Sequence, residues 1–206
     1  MVNHPLNGPH QREEETGQIQ GGPKNLSYKT IAWLSWAVAH CTDVPYVLKV
    51  DDDVVVNPFN LQRFYHEINK QAAPNTKKEH TTVGKIYGRV IYALPQRKGR
   101  WALTKEEYPE ETFPPYTTGA AYIIDRESVT QLWNHVPFVS VLWIEDVFLT
   151  GLVARAAELR HVGINHLYLE NFTSISLYEG KTIFLFEASP SDIQSSWDRI
   201  INKTKH

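Results

Sequence analysis

Apolar and polar positions along this chain fall into two alternating periods, and from Asn25 onward the switches between them outline helices and short strands. Leu26, Thr30, Trp33, Leu34, Ala37 and Val38 recur at helical spacing and predict a helix that ends before Pro45. Tyr46-Val47-Leu48-Lys49-Val50 is a compact apolar run that predicts a buried strand. Asn57-Pro58 pairs an N-cap residue with proline at the first helical position, and Leu61, Phe64, Tyr65 and Ile68 carry that helix to about Lys70. A polar loop over 71–82 leads to a strand-like Val83 to Tyr92. Residues 93–118 are irregular, with Pro109, Pro114 and Pro115, and Thr117-Thr118-Gly119-Ala120-Ala121 predicts a small-residue turn into the apolar Tyr122-Ile123-Ile124. Asp125 caps a short helix through Leu132 and Trp133. Ile144, Val147, Phe148, Gly151 and Leu152 stripe a further helix headed by Glu145-Asp146. Ser189-Pro190 opens a last helix with Ile193, Trp197, Ile200 and Ile201 on one face. Helices alternating with short buried strands predict the α/β class.

Residues 1–24 break the pattern. They are polar, rich in glycine and proline and poor in apolar anchors, and predict a disordered or loosely attached segment ahead of a domain over 25–206. At 206 residues one domain is expected, and 42% hydrophobic content suffices for a sizeable core. The net charge of -2 argues against a nucleic-acid surface. No apolar run approaches a membrane span, and the N-terminus lacks a signal-peptide core. Cys41 is the only cysteine, which excludes an internal disulfide. Sequons at Asn25, Asn171 and Asn202 point mildly toward a secretory lumen, against the missing signal.

Four constellations could carry chemistry. Asp51-Asp52-Asp53 interrupts an otherwise apolar stretch, and charge at a strand end needs a partner. A divalent cation carrying a pyrophosphate suits such hard oxygen ligands, whereas a solvated acidic turn would look the same. Glu145 and Asp146 stand at a helix start and, being adjacent, point about 100° apart. One can serve the helix end while the other faces a substrate as a general base, although acids in a first turn are also ordinary capping. Around Phe113-Pro114-Pro115-Tyr116, small residues at Gly119 and its neighbours would let a ligand approach the backbone, with Tyr116 against a sugar; a proline-stiffened turn is the plain alternative. Arg97, Lys98, Arg100 and Trp101 form a basic loop, either phosphate-holding or merely solvated, and His161 and His166 give only a weak metal spacing.

In this order and spacing the stretches YVLKVDDDVVVN (46–57), Trp101 through Tyr122 with Tyr108-Pro109 and Pro114-Pro115-Tyr116, EDVFLTG (145–151) and Ser189-Pro190 to Trp197 resemble the β1,3-galactosyltransferase family. The helix of Lys29, Thr30 and Trp36 before Cys41 matches as well, so the resemblance covers about 25–201. It implies a GT-A, Rossmann-like glycosyltransferase fold and an inverting hexosyltransferase that moves galactose or an N-acetylhexosamine from a UDP-sugar to a glycan hydroxyl in β1,3 linkage. Carried over by position, Asp53 would ligate Mn²⁺, while Asp51, Asp52, Tyr116 and Gly119 would meet the donor. Asp146 would be the catalytic base and Glu145 its support or an acceptor contact. The implied partners are a UDP-sugar and a glycan on protein or lipid, with no nucleic acid. The implied setting is the Golgi lumen or membrane, held through an anchor absent from this chain.

The sequence departs from the family in three respects. Its N-terminal anchor, stem and opening nucleotide-binding strands are expected to be absent, leaving an N-terminally truncated catalytic portion. Phe186 stands where family members commonly carry a histidine near the metal, and Cys41 is left without its usual companions. Those departures keep open a non-catalytic, sugar-binding or chaperone-like relative. A metal-dependent phosphohydrolase would share the clustered acids but leaves the Pro-Pro-Tyr and Glu-Asp-Val stretches unexplained.

Overall fold

The structure is a computed structural model that describes residues 25–72, 84–169 and 177–204. The expectations for 1–24, for most of the polar loop after the second helix and for the Asn171 sequon lie outside the described residues. The elements run α1 (Leu26–His40), β1 (Tyr46–Val50), β2 (Val55–Val56), α2 (Pro58–Ala72), β3 (Lys85–Ile91), β4 (Tyr116–Asp125) and α3 (Arg126–His135). A π-helix (Val147–Val153) continued by α4 (Ala154–Ala156), then β5 (Arg160–Gly163), β6 (Tyr168–Leu169), β7 (Phe184–Leu185) and α5 (Pro190–Thr204), complete the chain. The α/β class expected from the sequence is the class observed.

The larger sheet has the order β1-β4-β3-β5. β4 pairs antiparallel with both β1 and β3, and β3 pairs parallel with β5. Alternate residues of β4 enter two cores, as the two-residue strand period requires. Tyr122 and Ile124 pack with Leu34 of α1, Leu132 of α3 and Phe148 of the π-helix. Ala121 and Ile123 pack on the opposite side with Tyr87 and the α2 residues Leu61, Phe64, Tyr65 and Ile68. Cover on both faces explains why Tyr122-Ile123-Ile124 is continuously apolar. A small sheet, β2-β7-β6, sits beside α5, where Val55, Leu185, Ala188 and Ile200 form a third cluster.

The predicted caps are in place. Asn57 Oδ1 accepts from the N–H groups of Phe59 and Asn60 at 3.0 and 3.1 Å. Asp125 Oδ1 accepts from Ser128 N–H and its Oδ2 from Lys85 N–H, both at 2.8 Å, so one residue caps α3 and anchors β3.

Three features differ from the sequence expectation. The small-residue turn at Thr117–Ala121 lies within β4 and forms a bulge. Gly88 pairs with Tyr122 and Val90 with Thr117, so the single residue Arg89 stands opposite Thr118 to Ala121. Small residues read as a turn because the chain does bend here, while β1 still pairs along the other edge through Val50 and Ala121. The helix headed by Glu145 and Asp146 widens into a π-helix, whose Gly151 lets it lie against Pro114 and Tyr116, each about 3.3 Å from where a Cβ would project. Trp197 does not join Ile200 in the core and remains 45% exposed.

Candidate active site

The turn after β1 carries the three aspartates at the sheet's rim. Asp51 N–H donates to Ala120 O at 2.9 Å, and Asp53 O accepts from Ala188 N–H at 2.8 Å, tying the turn to the β4 bulge and to the approach to α5. Asp51 and Asp53 line a cavity of roughly 560 Å³ together with Arg89, Thr118, Ala120, Phe186 and Glu187. Asp52 is exposed on the same turn and is not among the lining residues. Two backbone irregularities serve this cavity: Arg89 stands at the bulge, and Glu187 adopts a left-handed φ of 55°. Such conformations are uncommon outside glycine and cluster at functional sites.

Asp146 and Glu145 lie on the other side of Gly119. Asp146 Oδ2 accepts from Gly119 N–H at 3.1 Å and Oδ1 from Val147 N–H at 2.9 Å. Burial raises the Asp146 carboxyl above the ordinary aspartate range, and those N–H groups pull it partly back. Glu145 is buried and accepts from the Tyr122 hydroxyl at 2.8 Å. Burial likewise raises its carboxyl, against the opposing charge of Lys49. Tyr116 is half-buried beside this pair, its ring edge-on to Phe113, and its hydroxyl is pushed up to about 12 by burial and then by the Asp146 charge. The fold thus divides the predicted residues into a cavity group, Asp51 and Asp53, and a carboxylate group, Asp146, Glu145, Gly119 and Tyr116. The stretch Thr118-Gly119-Ala120 joins them.

Sequence reasoning passed over Lys49, Arg89 and Glu187. A lone lysine inside an apolar strand was the available signal for Lys49; the bulge and the left-handed residue leave no mark in a hydropathy pattern. The basic loop has a different role from phosphate binding at Arg97, whose guanidinium donates to the carbonyls of Leu103, Thr104, Tyr108 and Glu110 and so staples the loop. Arg100 lies over Trp101, which stacks on Trp143. His161 gives no metal site: its Nε2 sits 2.6 Å from Thr150 O, and since a carbonyl only accepts, that nitrogen carries the proton.

A divalent cation fits this site only in part. Among the described residues no three His, Cys, Asp or Glu side chains gather closely enough to hold an ion by themselves. Phe186 lines the cavity with a phenyl ring that offers no ligand. The oxygen donors present, Asp51 and Asp53, suit a hard cation whose remaining positions are filled by phosphate oxygens and water. No helix among the described residues is long and apolar enough to cross a membrane.

Residues 19–165 match the sequence profile described as Galactosyltransferase. The chain is 28% identical over 187 residues to beta-1,3-galactosyltransferase 1 of Mus musculus, and equally to that of Homo sapiens, covering 88% of this chain and 53% of each relative. It is 26% identical over 185 residues to UDP-GlcNAc:betaGal beta-1,3-N-acetylglucosaminyltransferase 7 of Mus musculus, covering 85% of this chain and 44% of that protein. The chain therefore spans about half the length of the curated relatives it matches. A solved glycosyltransferase involved in the glycosylation of the major capsid of PBCV-1 overlaps 91% of this chain and 81% of its own at 10% identity, with a TM-score of 0.42, too loose to bear on the site.

Proposed function

Because the chain belongs to the galactosyltransferase family, we propose that it forms the catalytic part of an inverting transferase that moves a hexose from a UDP-sugar to a glycan hydroxyl in β1,3 linkage. The observation that carries this reading is the adjacency of two unlike acidic groups. Asp51 and Asp53 line an open cavity, and Asp146 is held across Gly119 by two backbone N–H groups. The first suits a diphosphate donor and the second a hydroxyl acceptor.

In this account the acceptor oxygen attacks the anomeric carbon as the bond from that carbon to the diphosphate oxygen breaks. Asp146 takes the hydroxyl proton, and UDP leaves on the opposite side. Two N–H donors leave the Asp146 carboxylate with spare acceptor capacity, and a carboxyl raised by burial is a better base near neutral pH than an ordinary aspartate. Glu145, buried against Tyr122, is assigned to supporting the base. Asp51, Thr118 and the small residues of the bulge line the donor's side, with Tyr116 beside the base. Asp53 would hold Mn²⁺, which when bound neutralises charge on the leaving diphosphate. A GT-A arrangement and a Golgi setting follow from the same family reading.

One observation favours a second reading, a sugar-binding relative without turnover: Phe186 stands in the cavity and offers no metal ligand. A UDP-release assay separates the two, run with a panel of UDP-hexoses and UDP-N-acetylhexosamines against glycans with terminal galactose or N-acetylhexosamine. The transferase reading expects release with at least one pair, and a loss of about 10²–10⁴ in turnover for Asp146→Asn. No release by a folded chain that still binds UDP supports the second reading. Release unaffected by Asp146→Asn removes Asp146 from the base role.

A further inference from the structure

Lys49 is the one charged residue of β1, and its side chain is only 19% exposed. A lysine in a strand covered on both faces needs compensating partners. Its ammonium pairs with the Asp51 carboxylate and also donates to the Gly119 carbonyl. It lies 5.9 Å from the centre of the Tyr122 ring, whose hydroxyl holds Glu145. The N–H of the same Gly119 donates to Asp146. An unbroken line of contacts therefore runs from Asp51 through Lys49 and Gly119 to Asp146. No side chain could be added at Gly119 without crowding it, since a Cβ there would meet Glu145 Oε2 at 3.3 Å and Asp146 Cβ at 3.4 Å.

We infer that Lys49 is a positioning residue that holds the cavity carboxylate Asp51 and the base Asp146 in one frame, through the Gly119 peptide. The inference deepens the transferase reading and rests on it for the role given to Asp146. Without an ammonium among them, Asp51, Glu145 and Asp146 would crowd three like charges around the β4 bulge, and burial of two of them would favour their protonated forms. The Lys49 charge opposes that for both Glu145 and Asp146. A compact ammonium with three donors can meet a carboxylate and a carbonyl at once, where a planar guanidinium is committed to its fork.

Carboxylate-carbon NMR of the full chain tests this without requiring turnover. The groups facing Asp146 are Glu145 beside it, Lys49 from β1, and Tyr116 and Tyr122 from β4, with Asp51 acting on the same Tyr122; Lys49 is the cation among them. In Lys49→Met the Asp146 resonance should titrate at higher pH than in the parent, and the Gly119 amide resonance should move. Lys49→Arg, which keeps the charge, should return the Asp146 titration toward the parent. Lys49→Gln can still donate to Gly119 O and serves if the methionine variant does not fold; it should leave the Gly119 amide near its parental position with Asp146 still titrating high. An Asp146 titration unchanged in the folded neutral variant would overturn the inference. UDP binding by the parent is measured on the same samples. Its absence would sink the transferase reading, whereas an unchanged Asp146 titration beside intact UDP binding would sink the Lys49 role alone.

Discussion

Glu145 and Asp146 are adjacent in sequence, and the fold gives them opposite surroundings. Glu145 turns inward to the Tyr122 hydroxyl, while Asp146 is braced by the N–H groups of Gly119 and Val147 at the helix start. The 100° offset between neighbouring helical residues made that division legible in the sequence; which acid would turn inward was not, because it depends on where Tyr122 of β4 presents its hydroxyl. Lys49 was hidden for a similar reason. Its partners Asp51 and Gly119 are two and 70 residues away, and only strand pairing brings the second within reach. The buried Glu145 also sets a pH dependence. Its folded-state carboxyl is raised, so the stability it contributes is present below the ordinary glutamate value of about 4.3 and is lost as pH rises through the raised folded value. Glutamine keeps an acceptor for Tyr122 and carries no charge. Glu145→Gln should therefore melt higher than the parent at neutral pH, with the gap closing as pH falls toward the ordinary glutamate range. Thermal denaturation across pH checks this, and a variant that melts lower at neutral pH would show the charge to be stabilising.

At the scale of elements, periodicity and capping recovered the regular parts. β1 has the predicted bounds, α2 begins at Asn57-Pro58, and α3 follows the Asp125 cap. Legibility failed where tertiary pairing overrides local composition. Thr117 to Ala121 has the composition of a turn, yet β1 on one side and β3 on the other draw it into a bulged strand. The π-helix has a similar origin, since hydropathy places its stripe but does not register the extra residue. Thr150 joins these two irregular elements. Its hydroxyl accepts from Thr117 N–H at 3.0 Å and donates to Asp146 O at 2.6 Å. Valine would match its shape and leave the buried Thr117 N–H without that acceptor, so Thr150→Val should cost about 1–3 kcal/mol. Urea unfolding should show a lower midpoint with an unchanged slope. An unchanged midpoint would mean that the bond between bulge and π-helix is dispensable.

For the whole molecule, two sheets and the helices packed against them bring a cavity and a buried carboxylate pair to either side of one short stretch of β4. The cavity is a product of topology. Asp51 and Asp53 follow β1, Arg89 lies in β3, Thr118 and Ala120 in β4, and Phe186 and Glu187 after β7, so residues from four separate parts of the chain converge. Sequence resemblance could name Asp51 and Asp53, because they lie in a contiguous motif; it could not supply Arg89 or Glu187, whose places depend on a bulge and a left-handed residue. The central claim is that this cavity receives a nucleotide donor with the aid of a cation at Asp53. Calorimetric titration of the full chain with UDP, with and without Mn²⁺ and with Asp53→Ala as control, tests it most directly. The account predicts binding that strengthens with Mn²⁺ and loses that dependence in Asp53→Ala; a folded chain that binds no UDP under either condition would contradict it.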